Sequence, residues 1–475
     1  MSDVAVSPPL LTAAALVDAR RVPPFPFAVL LNDGSRLEML RPLRVLPGKR
    51  VVGEGFWNGT RVLAKLFVAS GGVRHWRREL DGLKALMAAG IPTPALLAFG
   101  ALKAGGRYLL TEFVPDAHTL ADDLAAGGAQ EALAAVCVRL GELHAHGLVH
   151  GDPHPRNFLF AAAEPLIIDG DAVRHRVAPL PGKEADANFA LFLAQLSPDQ
   201  PLEGLLAAYR KGNAHHVSEF AALQPLIERY RLWRLKNYLP KTVRSCTAFE
   251  VRRNPRRFTA VARGDAEWLA PLLADPDRAL SGGVLLKDGN TATVARVDFA
   301  GRALVVKRYN VKNAAHALSR AWRPSRAWHS WREAHRLRFL GIGTPQPRAL
   351  IEERLGPLRR RAWFIADYHD GRNLLQVLAP HIEDAAPPEA VGAALLRFVE
   401  AFHRWRIGHG DFKASNLLWD ETRQCVVVID LDAMVQHAHV AEYACAWRRD
   451  RARLLANWPA GSGLWRWLNE RLPLA

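Results

Sequence analysis

Two short apolar runs, RVLAKLF (61–67) and RALVVKRY (302–309), are rich in strand formers, and each carries an embedded basic residue. Each follows a turn signal, WNGT or FAGR, so both read as strands entered from a tight turn. Further on, HWRRELDGLKALMAAG and SWREAHRLRFLGIG place apolar residues at helical spacing and end at glycine. Both then meet a proline-bearing segment, IPTP or GTPQP, which stops the helix because proline has no N–H to give and crowds the preceding turn. ALAAVCVRLGELHAHG and AALLRFVEAFHRWRIG predict amphipathic helices that end just before an H-G-D triplet. The loops after the triplets lead into LIIDGD and CVVVIDLD, which read as buried strands ending in an aspartate.

The same order of elements therefore occurs twice, at a period of about 250 residues, which is a domain duplication rather than a solenoid. A chain of 475 residues is also too long for one ordinary core. The boundary is expected in KNYLPKTVRSCTAF, between residues 235 and 250, giving domains 1–240 and 241–475. Residues 251–283 read as a strand and a short helix leading into the second copy.

Composition narrows the class. Hydrophobic residues make up 49% and charged residues 23%, as in a globular chain. The four cysteines are scattered and none forms a C-x-x-C pair, so neither a zinc site nor a disulfide framework is indicated, and reduced thiols in the cytosol are expected. No secretory signal is expected, and no apolar run reaches the length of a membrane span.

The net charge of +16 is concentrated. Residues 231–263 hold ten Lys/Arg against Glu250, and residues 302–338 hold ten against Glu333, leaving the rest of the chain near −2. Such clusters suit an anionic partner: nucleic acid, acidic lipid or a phosphorylated sugar. No nucleic-acid recognition motif accompanies the 231–263 stretch, so nucleic acid is not the expected partner. Trp322, Arg323, Arg326, Trp328, Trp331 and Arg332 form a basic, tryptophan-rich run that would suit a lipid headgroup surface or, equally, a packed helix.

The polar residues retained in both copies form one series: Lys65, Glu79, Asp152, Asn157 and Asp169, then Lys307, Glu333, Asp411, Asn416 and Asp430. Phosphoryl transfer from ATP needs this set. A strand lysine holds the α- and β-phosphates and a helix glutamate holds the lysine. A loop aspartate accepts the proton of the acceptor hydroxyl, and an asparagine and a second aspartate hold Mg2+ through hard oxygens. Lys65–Glu79 and Lys307–Glu333 are the expected ion pairs. Asp152 and Asp411 are the expected bases. Asn157 with Asp169 and Asn416 with Asp430 are the expected magnesium ligands. His150 and His409 are expected to pack the loops. For phosphate contact the first copy offers VVGEGFWNGT, with Gly53, Gly55 and Gly59; the second offers LLKDGNTATV, with Gly289, Thr291 and Thr293.

This series resembles the protein-kinase-like superfamily, in its small-molecule and sugar-kinase branch. Protein kinases usually carry arginine where this chain has Gly151 and Gly410, and Phe-Gly where it has Gly170-Asp171 and Leu431-Asp432. WRPSRAWHSWREAHRLRFLGIGTPQP followed by HGDFKASNLLW resembles the bacterial lipopolysaccharide core heptose kinases. REL…GIPTP with HGDPHPRNFL resembles related inner-core sugar kinases. The resemblance implies an α+β fold of two tandem protein-kinase-like bilobal domains, each with a strand-rich small lobe and a helical large lobe. It also implies ATP and Mg2+ as cofactors and phosphorylation of an inner-core sugar, heptose, of lipopolysaccharide. The work would be done in the cytoplasm, peripherally at the anionic inner membrane. A protein kinase and a non-catalytic kinase-fold scaffold are the alternatives, and the sequence sets no oligomeric state.

Overall fold

A computed structural model describes residues 8–474 except 199, 217, 311–323 and 357. Trp322 and Arg323 of the tryptophan-rich run lie outside the described residues. The chain divides into two compact units, Met1–Arg231 and Leu232–Ala475. The division falls within helix Phe220–Tyr238, whose Leu235 belongs to the second unit's core.

Both units carry the same five-stranded antiparallel sheet order. In the first, Arg36–Leu46, Arg50–Trp57 and Thr60–Phe67 form a meander, followed in space by Arg107–Glu112 and then Leu96–Ala101. In the second the order is Val284–Asp288, Ala292–Phe299, Arg302–Tyr309, Leu358–Asp367, Pro347–Leu355. The second turn of each meander needs left-handed backbone, which Asn58-Gly59 and Ala300-Gly301 adopt. The units extend opposite edges of this sheet. Phe27–Leu30 adds to the first, and the hairpin of Phe249–Arg253 with Arg257–Ala262 adds to the second. The single strand expected after residue 250 is thus two strands, turned at Asn254, whose side chain accepts from the N–H groups of Arg256 and Arg257.

The predicted helices after the lysine strands are Gly72–Ala88 and Arg326–Phe339. Each ends the same way. Gly90 and Gly341 take positive φ, and the following Ile91 and Ile342 return their N–H to Leu86 and Leu337 at 2.9 Å. The large lobes are helical. Gln130–Ala145, Gly182–Leu193 and Glu203–Gly212 bury one apolar core, and Glu389–Trp405, Val440–Leu455 and Gly463–Arg471 another. Trp331 of the basic run is fully buried, donating its indole N–H to the Thr242 carbonyl, and Trp328 packs on Phe258.

Candidate active site

The H-G-D loops are built alike. A short ladder, Leu148–His150 with Val173–His175 in the first unit and Ile407–Gly408 with Val435–Gln436 in the second, fixes where each loop begins. A single 3-10 turn, Pro155–Asn157 or Ala414–Asn416, then brings the asparagine back to the aspartate. Asn157 Nδ2 donates to the Asp152 carbonyl at 2.8 Å, and Asn416 Nδ2 donates to that of Asp411 at 2.9 Å. With the amide N–H groups so used, each side-chain oxygen remains as a hard donor. His150 and His409 are buried, with Nε2 3.2 and 3.1 Å from the Ile168 and Ile429 carbonyls. Burial lowers the pKa of both, so they are neutral loop-packing groups. Asp169 and Asp430 both take left-handed backbone, at φ 68 and 60. That conformation is uncommon outside glycine, and here both units turn sharply at the corresponding aspartate.

The surroundings of the two base candidates differ. Lys413 Nζ lies 3.0 Å and Arg453 Nη1 3.5 Å from the Asp411 carboxylate. Among the described residues Asp152 makes no ion pair, and the position two after it is His154. Asp450, buried on helix Val440–Leu455, accepts from the backbone N–H groups of His409 (2.7 Å) and Gly410 (3.0 Å). In the first unit Asn188 takes the corresponding helix position and donates to the His150 carbonyl at 2.9 Å. None of Lys413, Asp450 or Arg453 was identified from the sequence. Lys413 was open to recognition, two residues from the aspartate; Asp450 and Arg453 come from a distant helix and carry no local signal.

The lysines differ most. In the first unit Lys65 is hydrogen-bonded to Glu79, as expected. Glu79 is fully buried and also accepts from the N–H groups of Gly170 (3.2 Å) and Asp171 (3.3 Å). This clamp needs helix and loop to approach closely, which two glycines permit. A Cβ on Gly82 would stand 2.0 Å from the Gly170 carbonyl oxygen, and one on Gly170 2.5 Å from that of Glu79.

The expected Lys307–Glu333 pair is not formed. Lys307 Nζ lies 2.6 Å from Asp430 and 3.0 Å from Asp432, and Glu333 pairs with Arg336 at 2.6 Å. The reason is register. Glu79 stands eleven residues before the capping Gly90, whereas Glu333 stands eight before Gly341, nearly one turn further along the helix. The residue eleven before Gly341 is Ser330. Glu333 falls where the first unit has Gly82, and Leu431 where it has Gly170, so side chains fill the space that the glycines leave open.

The phosphate-loop expectation also needs correction for the first unit. Gly53 and Gly55 lie inside strand Arg50–Trp57, and a Cβ on either would strike the neighbouring strand at the Arg41 or Glu38 carbonyl. They are glycine for strand packing. The turn that corresponds in topology to the one holding Gly289 is Pro47–Lys49, with Gly48 at φ 63. Gly289 lies in the turn between the first two meander strands of the second unit.

In the second unit a cavity of about 300 Å³ is lined by Lys307, Ser330, Asn416, Asp430 and Asp432, with Val294, Val305 and Leu418 as apolar walls. That volume and mixture suit a small-molecule site. Burial works against the Asp430 carboxylate, but the Lys307 charge and hydrogen bond outweigh it and hold its pKa below the ordinary value. Among the described residues no three His, Cys, Asp or Glu side chains converge as a closed metal cage. One asparagine oxygen and one carboxylate per unit fit Mg2+, which keeps several waters and completes its shell with phosphate oxygens.

Among the described residues no helix is long and apolar enough to cross a membrane. Among curated proteins none matches. Solved structures are similar over part of the chain, among them WaaP in complex with acyl carrier protein and vaccinia related kinase 3. WaaP in complex with acyl carrier protein is 18% identical at TM-score 0.31, over 40% of this chain and 86% of that one. Vaccinia related kinase 3 is 12% identical at TM-score 0.27, over 50% and 81%. The family described as Lipopolysaccharide kinase (Kdo/WaaP) matches twice, over residues 60–224 and 283–444. Each match takes in one lysine strand, one H-G-D loop and one strand-end aspartate, and together they span more than half of the chain: the protein is a kinase of the lipopolysaccharide kinase (Kdo/WaaP) family, with two tandem kinase-like domains.

Proposed function

We propose that the chain phosphorylates a heptose hydroxyl of the lipopolysaccharide inner core, using MgATP, and that the second unit carries the transfer. The observation that carries this assignment is the placing of two cations, Lys413 and Arg453, on Asp411, in the same loop as Asn416, which lines the cavity together with the strand-end Asp430. Lys307 holds phosphate oxygens, Asn416 and Asp430 hold magnesium, and Asp411 accepts the proton of the sugar hydroxyl. Bound magnesium supplies charge neutralisation between the phosphates. Lys413 and Arg453 add positive charge beside the acceptor, where negative charge moves during transfer. In the first unit Lys65, held by Glu79, with Asn157, Asp169 and Asp152, forms the equivalent set, and that unit binds nucleotide. Work at the cytoplasmic face of the inner membrane fits a lipid-linked acceptor and a chain of net charge +16.

The test is transfer of labelled phosphate from ATP to purified core lipopolysaccharide stripped of phosphate. Asp411→Asn is expected to lower the rate by about 10²–10⁴-fold, the usual worth of a positioned base, and Asp152→Asn by much less. Equal transfer by wild type and the double variant, or transfer to protein alone, contradicts the reading.

A further inference from the structure

In the first unit the lysine anchor is a helix carboxylate. The second unit has Ser330 at that helix position, so its lysine must be held in another way. We propose that Asp432 is the positioning residue for Lys307, replacing the helix glutamate. This rests on the reading that Lys307 contacts nucleotide phosphate.

Two carboxylates touch Lys307, and they are not equivalent. Asp430 is the candidate magnesium ligand, and a carboxylate that shares its charge with a divalent cation holds a lysine poorly. Asp432 is free of that duty. Its Oδ1 accepts from the Tyr309 hydroxyl at 2.6 Å and the Ser330 hydroxyl at 2.8 Å, which fixes the carboxylate and leaves Oδ2 for Lys307 at 3.0 Å. Tyr309 lies two residues after Lys307 on the same strand, hence on the same face. Burial and then the Asp432 charge push the Tyr309 hydroxyl well above its ordinary pKa, so it stays a donor. The helix thus still governs the lysine, through a hydroxyl on the carboxylate instead of a carboxylate on the amine.

The first unit shows the complementary arrangement. Asp171, the residue two after its strand-end aspartate, is taken by the helix side chains of Arg78 (2.6 Å) and His75 (2.9 Å). The position two after Lys65 is Phe67, which has no hydroxyl to give. Loss of the helix carboxylate and gain of the Tyr309–Ser330 cradle therefore go together within the second unit.

The test uses the full chain and an acyl-phosphate analogue of ATP that acylates lysines at nucleotide sites, read peptide by peptide so that Lys65 and Lys307 report separately. Asp432→Asn is expected to cut Lys307 labelling by roughly tenfold or more, the worth of a lost charge-assisted contact, with Lys65 labelling retained. Glu333→Gln should leave Lys307 labelling as in wild type. Ser330→Glu added to Asp432→Asn returns a carboxylate to the helix and should restore much of the signal, which separates positioning from general damage. Wild-type Lys307 labelling that survives Asp432→Asn, or is lost in Glu333→Gln, overturns this inference alone. No Lys307 labelling in wild type overturns the nucleotide reading of the second unit with it.

Discussion

Lys65 is held from the helix and Lys307 from the loop after the strand-end aspartate, although the strand order of the five-stranded sheets, the C-terminal ends of the helices and the aspartate–asparagine turns agree between the two units. Two side chains separate the arrangements. Gly82 and Gly170 let the first unit's helix touch its loop, so Glu79 can reach both the lysine and the loop N–H groups. Glu333 and Leu431 occupy those positions in the second, and Asp432 takes over the lysine. Two tandem kinase-like units can share their aspartate–asparagine turns and still differ in which group holds the lysine.

The largest effect expected from breaking this difference is in the first unit. Gly82→Ala sets a Cβ against backbone that cannot swing aside, and should destabilise that unit by about 3 kcal/mol, the upper range for overpacking. The shift in its denaturant midpoint measures this. The H-G-D glycines come next. Gly410 has φ 78, and a Cβ there would lie 2.7 Å from the Ala433 carbonyl oxygen, whereas a Cβ on Gly151 would be 3.3 Å from that of Ala172 without positive φ. Gly410→Ala should cost about 2–3 kcal/mol and Gly151→Ala under about 1 kcal/mol.

Acid should weaken both units through different histidines. Burial lowers His144 to about 4 and His335 to about 3. A folded pKa below the unfolded value means that the contribution is complete above about pH 6.5 and is lost as pH falls toward those values. Each should cost about 2 kcal/mol by pH 5, and His335→Gln should flatten the second unit's share of the pH dependence of unfolding. A smaller effect than that of either histidine is expected from Asp450→Asn. It removes the charge from two hydrogen bonds to the second H-G-D loop and should cost about 1–2 kcal/mol, whereas the first unit already uses neutral Asn188. Equal unfolding midpoints for Asp450→Asn and wild type would contradict that.

What the sequence revealed of these sites follows the range of the interactions. The aspartate–asparagine loops were legible because both residues sit in one turn, five apart. The lysine strands and the helix ends were legible from turn residues, apolar spacing and glycine. Glu333 misled because a Trp-Arg-Glu string looks like the first unit's Arg-Arg-Glu, while the register is set at the far end by Gly341. Gly53 and Gly55 misled because glycine serves close strand packing as well as phosphate loops. Asp432 and Asp450 act across long sequence separations, on Lys307 and on the H-G-D backbone, which no local pattern encodes.

The most direct measurement is the rate of phosphate transfer to phosphate-free core lipopolysaccharide by two variants side by side, Asp432→Asn and Glu79→Gln. The account predicts the greater loss for Asp432→Asn, by roughly tenfold or more, because the second unit's lysine serves the transfer. Abolished transfer in Glu79→Gln with a wild-type rate in Asp432→Asn would contradict it, and would move the chemistry to the first unit.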